Sequence, residues 1–293
     1  MMIDLHTHST KSDGSQTPKQ LVLQAHQKKL KLFSITDHDS IDAVAEGLLE
    51  ASKVGLKFIS GTELSVIYRH PLYKNGQKGF ELHLLGYGFD HTNKTLVHEL
   101  SKNQKHREWR AGEIYSRLNA ALHQDGESII AEAEFAAMKQ SIDGAIGRPH
   151  LAAVLLQKGI VTGMQEAFDR YLKKCDVAKR DLLLETAAEL IRSAGGKLVV
   201  AHPNGLGAYS FRKISSDFNV HFAILDSMRD HIDGVECFYW DHTPQESEQY
   251  AAFAKSLGMI VTGGTDHHGN LSGDAERDRL GTLAVPEYVL DFF

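Results

Sequence analysis

The chain has 293 residues, with 32 Lys plus Arg against 38 Asp plus Glu, a formal net charge of −6 and 42% hydrophobic residues. That apolar content is enough for one large domain, or one with an insertion, and the acidic balance excludes wholesale binding to a nucleic-acid backbone while leaving room for a local basic pocket. Two cysteines, Cys175 and Cys237, are too few for a disulfide framework, and no run of about 18 apolar residues offers a membrane span. The start, MMIDLHTH, carries Asp4, His6 and His8 where a secretory signal needs Lys or Arg and then an apolar run. The expected location is therefore cytoplasmic.

In chain order, the apolar run 2–5 reads as a strand and 18–30 as a helix, with Thr17 as its cap and Pro18 in its first turn. Residues 32–35 form the next strand, and 41–54 a helix stopped by Gly55. Runs 56–59 and 82–85 read as strands. From about 95 to 172 only helical patterns occur, over 96–122, 131–138, 151–157 and 164–172. Strands at 198–201, 235–238 and 259–261 then alternate with helices, 182–194 before them and 244–257 among them. Strand–helix alternation predicts right-handed βαβ units and a parallel sheet closed as a barrel. The helical block reads as an insertion, a cap of residues 96–172 over a barrel made of 1–95 and 173–293.

Histidine is unusually frequent, at 17 residues, and its placement is patterned. His6, His8 and then Asp13 follow the first run, Asp37, His38 and Asp39 the second, and Glu63 the third. His83 and Glu236 lie within runs, His202 follows the run 198–201, and Asp266, His267 and His268 follow the last. In parallel α/β barrels the carboxyl ends of the strands form the functional face. A single H-x-H is weak evidence, a lone histidine is ordinarily structural, and Asp39 suits a cap for the helix that follows it. Recurrence at successive strand ends is different, because crowded carboxylates and imidazoles are stable together only around cations. The pattern points to a polynuclear metal site.

The ordered segments DLHTHSTKSDGS, ITDHDS, GTELS, ELHLLGY, AHP and GTDHH resemble the polymerase and histidinol phosphatase (PHP) family of metal-dependent phosphoesterases. Within it they resemble the stand-alone bacterial branch of nucleoside-3',5'-bisphosphate phosphatases and 5'-to-3' exoribonucleases, from residue 2 to about 285. The resemblance implies an α/β fold, a distorted (β/α)7 TIM-like barrel with an inserted helical subdomain. It implies two or three divalent ions, with Mn expected and Fe, Zn or Mg as alternatives. One ion falls to His6, His8, Glu63 and Asp266, a second shares Glu63 and adds His83 and His202, and a third falls to Asp13, His38 and His268. Asp37 is open between a partner of a ligand and a strand-end cap, and Glu236 between a ligand's partner and a plain buried acid. His267 is expected to point away, since neighbouring side chains in an extended segment face opposite sides.

The implied activity is hydrolysis of phosphate monoesters of small nucleotides, nucleoside 3',5'-bisphosphates and 5'-nucleotides, with 5'-to-3' trimming of short RNA, by metal-activated hydroxide attack on phosphorus. Asp13, His38, Glu63, His268 and Arg148 are the expected catalytic residues, with Arg148 and His268 contacting substrate. Arg148 follows the segment 144–147 and opens a predicted helix, a place that favours anions, and Arg pairs with phosphate in bidentate fashion. His150 is a weaker candidate. The charged run 102–110 reads as a solvated face or as a strip guiding short RNA, and Trp109 and Trp240 as packing residues. Segments 173–180 and 204–209 depart from the branch's pattern. A histidinol-phosphate phosphatase, sharing the ligands, and a metal-bound regulatory module without turnover are the competing readings. The expected partner is a small phosphorylated substrate, a nucleotide first and short RNA second, with no membrane and no obligate protein partner.

Overall fold

The computed structural model describes residues 2–69, 79–142, 146–207, 209–269 and 279–293. Two sheets form its centre. The first is parallel and small, made of β1 (Ile3–Asp4), β2 (Leu32–Phe33) and β3 (Lys57–Phe58) in that order. The second runs β4 (Gly61–Tyr68), β5 (Phe80–Tyr87), β6 (Lys197–Val200), β7 (Gly234–Tyr239) and β8 (Ile260–Gly264). In it β5 is antiparallel to both neighbours, and the β6–β7 and β7–β8 pairs are parallel.

This corrects the all-parallel expectation, and no described sheet is closed on itself. The sheets do approach each other at two seams. Leu5 N donates to Gly263 O at 3.2 Å, and Thr7 bridges His267. His38 bridges Glu63, with Glu63 N donating to Asp37 O at 3.1 Å and Asp39 N to Glu63 O at 2.7 Å. The strand β4 lies beyond the predicted run 56–59, so Glu63 sits inside a strand rather than after one. Seven of its eight residues are buried, which removes the alternating pattern by which a half-exposed strand is recognised.

Local signals set the helices. Thr17 and Gln20 close a capping box at α1 (Pro18–Gln27), and α2 (Val44–Val54) stops at Gly55, whose φ of 69° suits a residue without a Cβ. Asn93 caps α3 (Lys94–Gln124), which is followed by α4 (Glu132–Ser141), α5 (Arg148–Gln157) and α6 (Met164–Ala167), the last running into a π turn at Phe168–Leu172. Beyond them lie α7 (Leu184–Ser193), α8 (Phe218–Ser227), which has no counterpart among the predicted helices, and α9 (Pro244–Ser256). The long α3 joins two cores. Leu96 and Leu100 pack with the sheets, whereas Ile114, Leu118 and Leu122 pack with Leu151, Leu155 and Leu172 in a separate cluster. No helix among the described residues is long and apolar enough to cross a membrane.

Candidate metal centre

The expected ligands arrive from six strands and one loop. His6 and His8 continue β1, His38 lies past the end of β2, Glu63 and His83 sit in β4 and β5, His202 follows β6, and Asp266 and His268 follow β8. Asp13 is carried on a tight turn in which Ser12 N and Gly14 N both donate to Ser9 O, at 3.1 and 2.9 Å. A Cβ on Gly14 would lie 2.1 Å from the His8 carbonyl oxygen, so the turn closes this tightly only with glycine. Asp39, His202 and Asp266 have φ of 51°, 29° and 51°, left-handed backbone that costs about 1–3 kcal/mol in non-glycine residues and gathers at functional sites.

Glu63 is the centre of the cluster. Its Oε2 lies 3.3 Å from His6 Nε2, 3.2 Å from His8 Nε2 and 3.1 Å from His38 Nδ1. Its Oε1 lies 2.8 Å from His83 Nδ1 and 3.0 Å from His202 Nε2. Asp266 Oδ1 lies 3.0 Å from His8 Nε2 and 3.3 Å from His6 Nε2. Asp13 reaches His268 Nε2 at 3.4 Å and His38 Nε2 at 3.8 Å. The structure thus brings all nine expected ligands together. Three groups within it are compact enough to hold an ion: His6, His8, Glu63 and Asp266; His8, Asp13, His38 and His268; and His38, Glu63 and His83. His8 and His38 each belong to two of them.

The donor set fits divalent cations. His6 Nε2, His8 Nε2, His38 Nδ1, His83 Nε2 and Glu63 Oε2 are buried without a hydrogen-bond partner. Each such atom costs about 1–3 kcal/mol unless something satisfies it, and these converge. Burial raises the carboxyl groups of Asp13, Glu63 and Asp266, yet the surrounding imidazoles outweigh it and hold all three well below the usual carboxylate range. Burial lowers His8, but the adjacent Asp266 and Glu63 carboxylates prevail and push it up to about 10. A site that attracts this much positive charge suits metal ions.

A ring of buried acids aims the ligands. Glu236 takes His6 Nδ1 at 3.0 and 3.2 Å and accepts from His202 N at 2.7 Å, which turns His6 Nε2 toward Glu63 and Asp266. Of its two open readings, the contact with His6 favours a partner of a candidate ligand over a plain buried acid. Asp37 likewise accepts from Ser9 N, Ser9 Oγ and Ser12 Oγ at 2.6–2.7 Å and so anchors the turn that carries Asp13. Sequence reasoning missed Asp4, which accepts from Thr265 N, Thr265 Oγ1 and Gly281 N at 2.6–3.0 Å and pins the segment before Asp266; burial pushes its carboxyl up to about 6. Asp39 is no helix cap, because α2 begins after Ala43. It accepts instead from Ser65 N at 3.0 Å and Arg107 Nη1 at 2.7 Å. His267 points away as expected, its Nε2 2.7 Å from Gln16 Oε1. We expect Glu236→Gln to weaken Mn binding about 10–100-fold, the usual cost of losing such a partner. Equilibrium dialysis measures it, and an unchanged affinity would reduce Glu236 to a packing residue.

Beside the candidate ligand cluster lies a cationic cavity of about 180 Å³, whose walls include Asp13, His38, His83, Arg107, Arg110, Arg148, Lys179 and Tyr209. Arg148, at the start of α5, thus shares this cavity with three other cationic side chains. Its Nη1 donates to Asp176 at 2.6 Å and its Nη2 to the Tyr209 hydroxyl at 3.2 Å. Asp176 also binds Arg110, and Glu81 binds Lys179. Within the run 102–110 the face is not uniformly solvated, since Arg107 and Arg110 turn inward to this cavity. Trp109 and Trp240 are 54% and 38% exposed, against the expectation that they pack. His150 is buried and accepts from Gly147 N at 2.9 Å. Gly144 and Ala145, in the segment before Arg148, lie outside the described residues. A second cavity of about 200 Å³ opens directly on Glu63, His202, Asp266 and His268 and shares His38, His83 and Tyr209 with the first.

Comparison with known proteins agrees with this geometry. The model of the PHP domain family matches residues 4–188. The 5'-3' exoribonuclease Rnm of Escherichia coli is 30% identical over 275 residues, covering 92% of this chain and 85% of that protein. The 3',5'-nucleoside bisphosphate phosphatase of Chromobacterium violaceum is 30% identical over 289 residues, covering 97% and 92%. A solved structure from Bifidobacterium adolescentis, described as a metal-dependent phosphoesterase, superposes with a TM-score of 0.80 at 25% identity, covering 99% of this chain and 94% of that one.

Proposed function

The chain belongs to the PHP domain family, and from that premise we propose that this metal-dependent phosphoesterase acts on nucleotides, removing a phosphate from nucleoside 3',5'-bisphosphates or from the 5' end of short RNA. The carrying observation is the meeting of the Glu63 cluster with a cavity walled by Arg107, Arg110, Arg148 and Lys179, through the shared His38, His83 and Tyr209. An ester with one phosphate at the cluster and further negative charge beside it matches that pairing of sites.

His6, His8, Glu63 and Asp266 would hold one ion and Asp13, His38 and His268 another, while Glu63 and His83 would hold a further one with His202, whose Nε2 is 3.0 Å from Glu63 Oε1, Mn being suited to the mixed imidazole and carboxylate donors. Such ions supply a hydroxide nucleophile near neutral pH and offset the charge of the transferring phosphoryl group. The protein's own part is to aim and to bind. Glu236 and Asp37 fix the ligands, Arg148 takes a phosphate oxygen from the cationic side, and His268 lies where the Asp13 turn meets the substrate. The two seams between the sheets support a distorted (β/α)7 barrel. The separate apolar cluster around Ile114 and Leu151 supports residues 96–172 as a cap that delivers Arg148.

Phosphate release by the Mn-loaded protein from a nucleoside 3',5'-bisphosphate, a 5'-phosphorylated short RNA, p-nitrophenyl phosphate and histidinol phosphate tests the proposal. The bisphosphate or the RNA should give the highest kcat/KM. Preference for histidinol phosphate would transfer the assignment to that substrate, and no release at full metal content would leave a regulatory module. In the same assay Arg148→Ala should cost about 1.5–3 kcal/mol on the bisphosphate, roughly 10–150-fold in kcat/KM, and less on p-nitrophenyl phosphate. Arg148→Lys should recover little, because an ammonium cannot make the paired bonds of a guanidinium. Equal effects on both substrates would leave Arg148 without a role in phosphate recognition.

A further inference from the structure

Tyr209 lies on the loop 204–209, where the chain departs from its family's pattern, so the ligand motifs assign it nothing. It lines both the cavity over the metal cluster and the cationic cavity. Its ring stacks on that of the ligand His83, with centroids 4.2 Å apart and planes at 25°. Arg148 Nη2 donates to its hydroxyl at 3.2 Å and Lys179 Nζ lies 3.5 Å from the same oxygen. The Lys179 ammonium also sits 4.5 Å from the ring centroid.

Resting on the phosphoesterase reading, we propose that Tyr209 contacts the substrate directly, donating its hydroxyl proton to an oxygen of the phosphoester at the junction of the two cavities. A phenol has one proton to donate and two lone pairs. Guanidinium and ammonium groups have no lone pair to offer, so Arg148 and Lys179 occupy the acceptor side of this hydroxyl and cannot take its proton. No acceptor for that proton is present among the described residues. The proton is thereby directed away from both cations, at a place open to the metal cluster on one side and to the cationic pocket on the other. Two cations donating to the oxygen also polarise the O–H bond and make it a stronger donor. An anionic phosphoester oxygen is the acceptor whose chemistry this position matches.

Tyr209→Phe and Tyr209→Leu, each loaded with Mn, separate the hydroxyl from the ring. Phe keeps the stack on His83 and the face offered to Lys179, and Leu keeps neither. The Phe variant should hold its full Mn content and lose about 10–150-fold in kcat/KM on a nucleoside 3',5'-bisphosphate, the effect of one hydrogen bond to a charged acceptor. Inhibition by inorganic phosphate should weaken in the same variant. Wild-type kinetics in Tyr209→Phe together with a damaged Tyr209→Leu would assign the ring alone and overturn the proposal, as would loss of Mn from the Phe variant. An active wild type with an unaffected Phe variant sinks this inference only. A wild type that releases phosphate from none of the four substrates sinks the phosphoesterase reading and this inference with it.

Discussion

Glu63→Gln is expected to lower kcat/KM by at least about 10³-fold, close to 4 kcal/mol of transition-state stabilisation, and to cost the protein more than one bound ion. Both Glu63 oxygens lie within 3.3 Å of imidazole nitrogens, from five histidines in all. Gln keeps the shape but replaces one oxygen with an amide group that can only donate, and it removes the one negative charge common to two of the three compact groups. Glu63 is 1% exposed, so little bulk water can compensate for the lost charge. Metal analysis of the purified variant and phosphate release in excess Mn would check both parts. A variant with a full complement of metal and activity within tenfold of wild type would remove Glu63 from the centre of the site.

Metal removal is the second large effect. Stripping with a chelator should abolish phosphate release, and Mn should restore it. It should also destabilise the fold, because an ion present at a hundred times its dissociation constant contributes about 2.7 kcal/mol, which for a chain of this size corresponds to about 4 °C in Tm per ion. The reason lies in the orphaned atoms. His6 Nε2, His8 Nε2, His38 Nδ1, His83 Nε2 and Glu63 Oε2 have given up water for no protein partner. A thermal melt before and after stripping measures the effect. An unchanged Tm in protein shown by analysis to be metal-free would mean that the cluster satisfies itself through protonated histidines.

Much of the centre is legible in the chain because metal chemistry restricts residue types and strand ends restrict positions. The nine predicted ligands lie around Glu63, but the compact groups differ from the predicted sets: His8 and His38 each belong to two, and His38 rather than His202 stands with Glu63 and His83. The residues that went unread are those whose roles depend on a distant partner. Asp4 looks like an ordinary strand residue until Thr265 and Gly281 are beside it. Arg107 and Arg110 belong to a charged stretch of a long helix, and nothing local distinguishes them from Lys105 or Glu108. Their inward turn follows from Asp39 and Asp176, which reach them across the fold.

What the sequence determined by itself is therefore local or compositional: the first helix with its cap at Thr17, the glycine stop at Gly55, and the recurrence of His, Asp and Glu at strand ends. These depend on interactions within about one helical turn. The tertiary structure alone decided the antiparallel pairing of β5, the placing of Glu63 within a strand, and the pairs that aim the site. His6 and Glu236 are 230 residues apart, Lys179 and Glu81 98, and Arg148 and Asp176 28. Nothing local selects such pairs. They form because burying the apolar faces of β4 to β8 brings those segments together, and a buried charge is then stable only opposite a partner.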